Sequence, residues 1–246
     1  MNDNFLNELK AAQEKGVFAD FIRDTAESGI LFEAMPQLRG LHQIPQDPRW
    51  HPEGDVWIHT LLVLKNLPAN ATFAMSLAAL LHDVGKAAAT VILDSGAIKA
   101  HGHEEISAQM AHDILSKLGA SDELQKEVVF LVRHHMKAHS HDTKAKTLRR
   151  LILEGGRDLV DQLLQHGVAD VAGGCRDFTA CERIRHLLNH LEEKPEKPSV
   201  VLTGNEIMEL TGFKSGPDVG KVFRSLSALG AIDRDTAIKF VKDLKL

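Results

Sequence analysis

The chain has 246 residues, 43% hydrophobic and 26% charged, which excludes disordered and fibrous classes and leaves one large domain or a main domain with a small appendage. Its net charge of −5 argues against a general electrostatic grip on nucleic acid, though not against a local basic patch. Two cysteines, Cys175 and Cys181, make no disulfide framework. They point to a reducing compartment, and the lack of an apolar leader or a bilayer-length apolar run predicts a cytoplasmic protein without a membrane partner.

Helical periodicity runs through the chain. Phe5, Leu6, Leu9 and Ala12 form a first apolar stripe, and Phe18, Phe21 and Ile22 begin a second. "DVWIHTLLVLKNL" predicts a third helix, capped by Asp55 and closed before Pro68. "TFAMSLAALLHDVGK" is apolar nearly all round, which predicts a helix packed on several sides. "EEISAQMAHDILSKLG" ends at Gly119, and "SDELQKEVVFLVRHHM" opens on Ser121 as N-cap. Three further helices follow in "AKTLRRLILEG", "RDLVDQLLQHGVADVAG" and "DFTACERIRHLLNHL". Only "ATVIL" has the look of a short extended piece, so the predicted fold is all-α, a helical bundle. "EEKPEKPS", residues 192–199, reads as a linker. The expected domains are 1–194, and a small C-terminal helical subdomain at 199–246 with a glycine-rich turn from Gly212 to Gly216.

Histidine is the unusual residue. Of fourteen, ten fall between His51 and His141. In "LLHDVGK", residues 80–86, His82 and Asp83 stand side by side at the end of an apolar run. Buried there, they need a hydrogen-bond network or a cation. His59, His82, Asp83 and Asp170 lie on different predicted elements or at their ends, so a bundle is able to turn all four inward, as bundles do when they build metal sites. Neighbours on a helix diverge by about 100°, so His82 and Asp83 reach one ion only near the helix end, which Gly85 supplies. Imidazole with carboxylate suits Mn, Fe, Co, Ni, Zn or Mg.

The order His…His-Asp…Asp resembles the HD superfamily of metal-dependent phosphohydrolases. "HPEGDVWIHT", "ALLHDVGK", "HGHE" and "GVADVAG" are similar to the HD domain that follows the polymerase head in some bacterial tRNA CCA-adding nucleotidyltransferases. The flanks "SGILFEAMPQLRGLHQIPQDPRW" and "LTGNEIMEL…GPDVGKVFRSL" extend the likeness over roughly residues 16–240. No nucleotidyltransferase head with its Gly-Ser and paired aspartates is present, which predicts a free-standing HD domain that does not add nucleotides.

The resemblance implies that His59, His82, Asp83 and Asp170 hold a first divalent ion. It also implies that Asp83 bridges to a second ion held by His103 and by one of His134 and His135. His135 is favoured because Leu131, four residues earlier, turns that face to the core. Glu104 is the expected partner orienting an imidazole; His139 and His141 are within possible reach, but like His101 they read as loop histidines. His112, His166, His186 and His190 fit helix surfaces.

The chemistry that follows is hydrolysis of phosphomonoesters or phosphodiesters by metal-activated water. Substrates implied by the resemblance are nucleotides and RNA-end phosphates, including 2′,3′-cyclic phosphates, with tRNA as a partner. Asp83 is expected to act as ligand and proton acceptor. Lys86 either presents its ammonium to the phosphate or caps a helix C-terminus in solvent. Arg133 and Lys137 belong to a basic stretch that either steers an anionic substrate or is a solvated face. "SGPDVGK" offers backbone amides and Lys221 to a phosphate, or merely seats a proline at a helix start. A competing expectation is a catalytically silent RNA- or partner-binding module derived from the same body.

Overall fold

The structure, a computed structural model, describes residues 2–191, 202–228 and 233–244; the predicted linker at 192–199 lies outside them. The chain divides into two compact units, 1–191 and 192–246.

The first unit is a bundle. Its helices are α1 (Asn2–Glu14), α2 (Phe18–Glu27), α3 (Ile30–Ala34), α4 (Val56–Lys65), α5 (Phe73–Leu81), α6 (Lys86–Ala89), α7 (His103–Lys117), α8 (Asp122–His134), α9 (Ala145–Gly155), α10 (Arg157–Gly173) and α11 (Thr179–Asn189). Short 3-10 turns occupy Pro36–Leu41 and His135–Lys137. Within "ATVIL", Val91–Ile92 (β1) pairs antiparallel with Ile98–Lys99 (β2), making a small hairpin. Among the described residues the fold is all-α apart from this hairpin.

Caps fix where the site-bearing helices begin. Asp55 Oδ1 accepts from Ile58 N at 2.9 Å, Thr72 Oγ1 from Met75 N at 3.1 Å and Ser121 Oγ from Leu124 N at 3.3 Å, so α4, α5 and α8 each start on a satisfied donor. From Ala74 to Leu81 every residue of α5 is buried; a helix apolar on all sides becomes the centre of the bundle. It packs on α4, α8 and α10, while α7 runs along α8. The core is continuous from Leu9 and Ile22 through Leu77 and Leu80 to Leu131, Leu163 and Ile184.

The second unit comprises α12 (Gly204–Thr211), α13 (Pro217–Ala228) and α14 (Arg234–Asp243) around Leu202, Ile207, Val222 and Val241. Thr203 and Glu206 form a reciprocal capping box at α12. At the start of α13, Lys221 Nζ lies 2.7 Å from Asp218 Oδ1, so that lysine is paired within its own turn. Among the described residues no helix is long and apolar enough to cross a membrane.

Candidate metal centre

Five segments of the first unit deliver six side chains to one place. His59 lies on α4. His82 is the residue just past α5, so the chain is already leaving the helix when Asp83 turns to the same side. His103 opens α7, His135 follows α8, and Asp170 lies near the end of α10. All six are buried. Gly85 makes the convergence possible: its N–H donates to Ser107 Oγ at 2.9 Å, and a Cβ there would stand 2.6 Å from the His103 carbonyl oxygen. The turn carrying Asp83 therefore presses directly on the first turn of α7.

The four histidines are oriented alike. His82 donates from Nδ1 to the Ala79 carbonyl at 2.9 Å, His103 to Ala100 at 2.7 Å and His135 to Val132 at 2.7 Å, while His59 donates to Glu53 Oε1 at 2.6 Å. With Nδ1 committed outward, every Nε2 faces inward as the available electron pair, the arrangement by which outer partners prepare imidazoles for a metal. Inside, His59 Nε2 is 3.0 Å from Asp170 Oδ1, His82 Nε2 3.2 Å from Asp83 Oδ2, and His103 Nε2 3.1 Å from both Asp83 Oδ1 and His135 Nε2. His82 Nε2 and both Asp83 oxygens are buried and lack an aligned hydrogen-bond partner. Lone pairs packed this closely need positive charge between them, from protons or from a cation.

Two ligand groups result. His59, His82 and Asp170 form one, and Asp83, His103 and His135 the other; within each, the ligand atoms lie within 4.8 Å of one another. Asp83 joins them: Oδ1 faces His103, and Oδ2 faces His82 and, at 3.9 Å, His59. This donor set fits one or two divalent ions.

The electrostatics agree. Burial disfavours charge on Asp83, yet His82, Lys86 and His103 hold its carboxyl well below the usual carboxylate range. Asp170 is likewise held low against burial, by His139, His59 and His82. Burial opposes a proton on His59, but Asp170 and Glu53 push its pKa up to about 9. A field that retains a proton there would also retain a metal cation, which displaces that proton on binding. His135, by contrast, is driven well below the ordinary imidazole value by burial and by His82 and His103.

The remaining sequence candidates fall in several places. Lys86 is buried rather than solvated, at the start of α6, with Nζ 2.7 Å from Asp83 Oδ2 and 2.7 Å from Gln46 Oε1. His134 points away to Glu154, at 3.1 Å. Glu104 is 3.7 Å from His103 Nδ1, whose proton already goes to the Ala100 carbonyl, so backbone and not Glu104 orients that ring. Arg133 and Lys137, read as a basic stretch that either steers an anionic substrate or is a solvated face, lie outside the cavity wall. Arg133 pairs with Glu105 Oε2 at 3.0 Å. His166 is corrected, from surface to core: it is fully buried, 5.3 Å between ring centres from His82, with neither nitrogen hydrogen-bonded.

Two contributors, Glu53 and His51, have no assigned role in the sequence, and a third, His139, reads there as a loop histidine within reach of the site. Glu53 Oε1 accepts from His59 and lies 2.9 Å from His51 Nδ1, and His139 Nε2 lies 3.2 Å from Asp170 Oδ2. The signal for Glu53 was its place in "HPEGDVWIH", in a loop where no periodicity marks a buried face. Above the centre opens a cavity of about 530 Å³. Asp83, Lys86, His103, His135 and Asp170 lie at its base, and Trp50 and Lys99 among its other walls.

The HD domain family profile matches residues 56–172. Among characterised proteins, the A-adding tRNA nucleotidyltransferase of Deinococcus radiodurans is 31% identical over 216 residues, covering 83% of this chain and 48% of that protein. The CC-adding tRNA nucleotidyltransferase of Thermus thermophilus is 32% identical over 203 residues, 80% of this chain and 45% of that protein. The multifunctional CCA protein of Halorhodospira halophila is 36% identical over 115 residues, 46% of this chain and 27% of that protein. The chain spans about half or less of the length of these curated relatives.

Proposed function

Taking as premise an HD domain at residues 56–172 that resembles the corresponding part of tRNA CCA-adding enzymes, we propose that this chain is a divalent-metal-dependent phosphohydrolase. Its substrates are nucleotide or RNA-end phosphates, 2′,3′-cyclic phosphates among them. The observation that carries this reading is the position of Asp83, between two ligand groups and open to the cavity.

On this reading His59, His82, Asp170 and Asp83 hold one ion, and Asp83, His103 and His135 a second. Ions bound there supply Lewis-acid activation of water and of a phosphoryl oxygen. The chain's own groups do the rest. Asp83, held firmly ionised, is a weak base and serves as ligand rather than as proton acceptor. Lys86, steered by Gln46, sets an ammonium beside the Asp83 oxygen, where a substrate phosphate would gather negative charge. The relatives' names concern tRNA, and on that ground an RNA 3′ end and tRNA are the proposed macromolecular substrate and partner.

The test is a panel of 2′,3′-cyclic nucleotides, nucleoside monophosphates and a tRNA ending in a cyclic phosphate, assayed with Mn, Ni, Co, Fe, Mg and Zn. Hydrolysis with at least one ion, abolished by chelator and by Asp83→Ala, is expected. Full activity in Asp83→Ala, or none with any ion and substrate, would overturn the proposal.

A further inference from the structure

Trp50 is an expensive residue to leave in water. Of the two tryptophans, Trp57 is buried in the core, whereas Trp50 is 55% exposed. It lines the cavity over the metal centre and has no ring partner among the described residues, while Trp57 packs against Phe32 and His42.

Its backbone is held firmly. The Asp47 carbonyl accepts from both Trp50 N at 3.0 Å and His51 N at 2.9 Å, and the Asp47 carboxylate takes Arg49 N and the Arg49 guanidinium. From the opposite side Gly174 packs so closely that a Cβ there would stand 2.8 Å from the Trp50 carbonyl oxygen. The next residue, His51, ties this turn to the centre through Glu53 and through ring contact with His59 at 4.6 Å between centres. A large flat apolar face is thus carried on a hydrogen-bonded turn whose next residue, His51, reaches the metal cage through Glu53. A surface with that placement suits a ligand whose phosphate lies at the centre and whose flat aromatic part lies further out.

We propose that Trp50 is a specificity-determining residue, the platform on which the nucleobase of the substrate stacks, so that the protein prefers phosphates carrying a base over base-free sugar phosphates. The inference rests on the phosphohydrolase reading for what happens at the phosphate, but not for the stacking itself. Stacking of one base on an aromatic ring corresponds to roughly 5- to 150-fold in affinity.

Two measurements test it. The first compares kcat/KM for AMP with that for ribose 5-phosphate in the wild-type protein, Trp50→Ala and Trp50→Phe. The ratio should fall about tenfold in Trp50→Ala, chiefly through KM for AMP, and be largely restored in Trp50→Phe. An unaltered ratio in Trp50→Ala overturns the proposal. The second titrates AMP in the presence of chelator and follows indole fluorescence. Quenching is expected in the wild type, absent in Trp50→Phe (which retains only the buried Trp57) and absent with ribose 5-phosphate. If no phosphate is hydrolysed under any condition, the phosphohydrolase reading fails and the fluorescence titration alone decides: quenching lost in Trp50→Phe upholds the platform, and no quenching refutes it.

Discussion

His103 Nε2 and His135 Nε2 face one another at 3.1 Å, and each ring has its Nδ1 on a backbone carbonyl. Neutral imidazoles in those tautomers present lone pair to lone pair, so the pair stands only with positive charge between them or on one of them. His135→Ala is therefore expected to lower the number of bound divalent ions from two to one, measured by elemental analysis after dialysis against Mn or Co. His134→Ala, removing a ring that points to Glu154, should leave the count as it was. An unchanged count in both variants would remove His135 from the ligand set.

Glu53 offers a second test. One of its oxygens orients His59 and holds His51. Loss of an outer partner of this kind weakens metal binding about 10- to 100-fold, and Glu53→Ala should show that loss in calorimetric titration with the fold intact by circular dichroism. Glu53→Gln keeps an acceptor for His59 Nδ1 but not the charge, so it should fall between. Equal affinity in all three proteins would assign Glu53 a packing role only.

Stability should respond to pH in two windows in the presence of chelator. His59, pushed up to about 9 by Asp170 and Glu53 against burial, contributes stability that is complete below its unfolded value near 6.5 and lost as pH rises through about 9. His166, pushed down to about 3 by burial and by His82, acts the other way. The unfolded chain takes up its proton below about 6.5 and the folded chain does not, so stability falls from there toward pH 3. Urea unfolding across pH 4–9 should give a maximum near neutrality, and His166→Leu should flatten the acid side. A slope there identical to wild type would mean that His166 is not held neutral.

Gly85→Ala forces a methyl against the His103 carbonyl and Ser107 N, the latter 2.7 Å from the built Cβ. Overpacking of this kind costs about 1–3 kcal/mol. Because the clash pushes α7 away from Asp83, metal affinity should fall with stability, unlike in a variant that merely softens the core. Thermal melts with and without Mn would separate the two: full metal-induced stabilisation in Gly85→Ala would count against the close approach.

Helices with strong stripes or clean caps are legible in the chain. Asp55, Thr72 and Ser121 mark their starts, and the apolar run of α5 announces a central element. Less legible is whatever depends on several elements at once. His166 stands beside Gln165 in "LLQHGVAD", and the packing of α10 against α4, α5 and α8 makes it interior. Arg133 and Lys137 form a basic stretch by adjacency, yet a helix turns Arg133 to Glu105 and away from the cavity. His59, His82, Asp83 and Asp170 stand out in the chain, because histidine and aspartate beside apolar runs are costly, whereas His103 and His135 come from the resemblance to the HD superfamily. Glu53 escapes, and His139 reads only as a loop histidine within reach, because both come from loops, where exposure is the default.

His59 and Asp170 are 111 positions apart, and the segments that meet them begin and end elsewhere in the first unit. An ion gripped there would fasten remote stretches of chain together as a covalent cross-link does, and closing so long a loop carries a large entropic cost for the unfolded chain. Occupancy would then be written into the melting temperature of the whole bundle, so that starvation for the right metal would cost the cell the protein itself as well as its turnover.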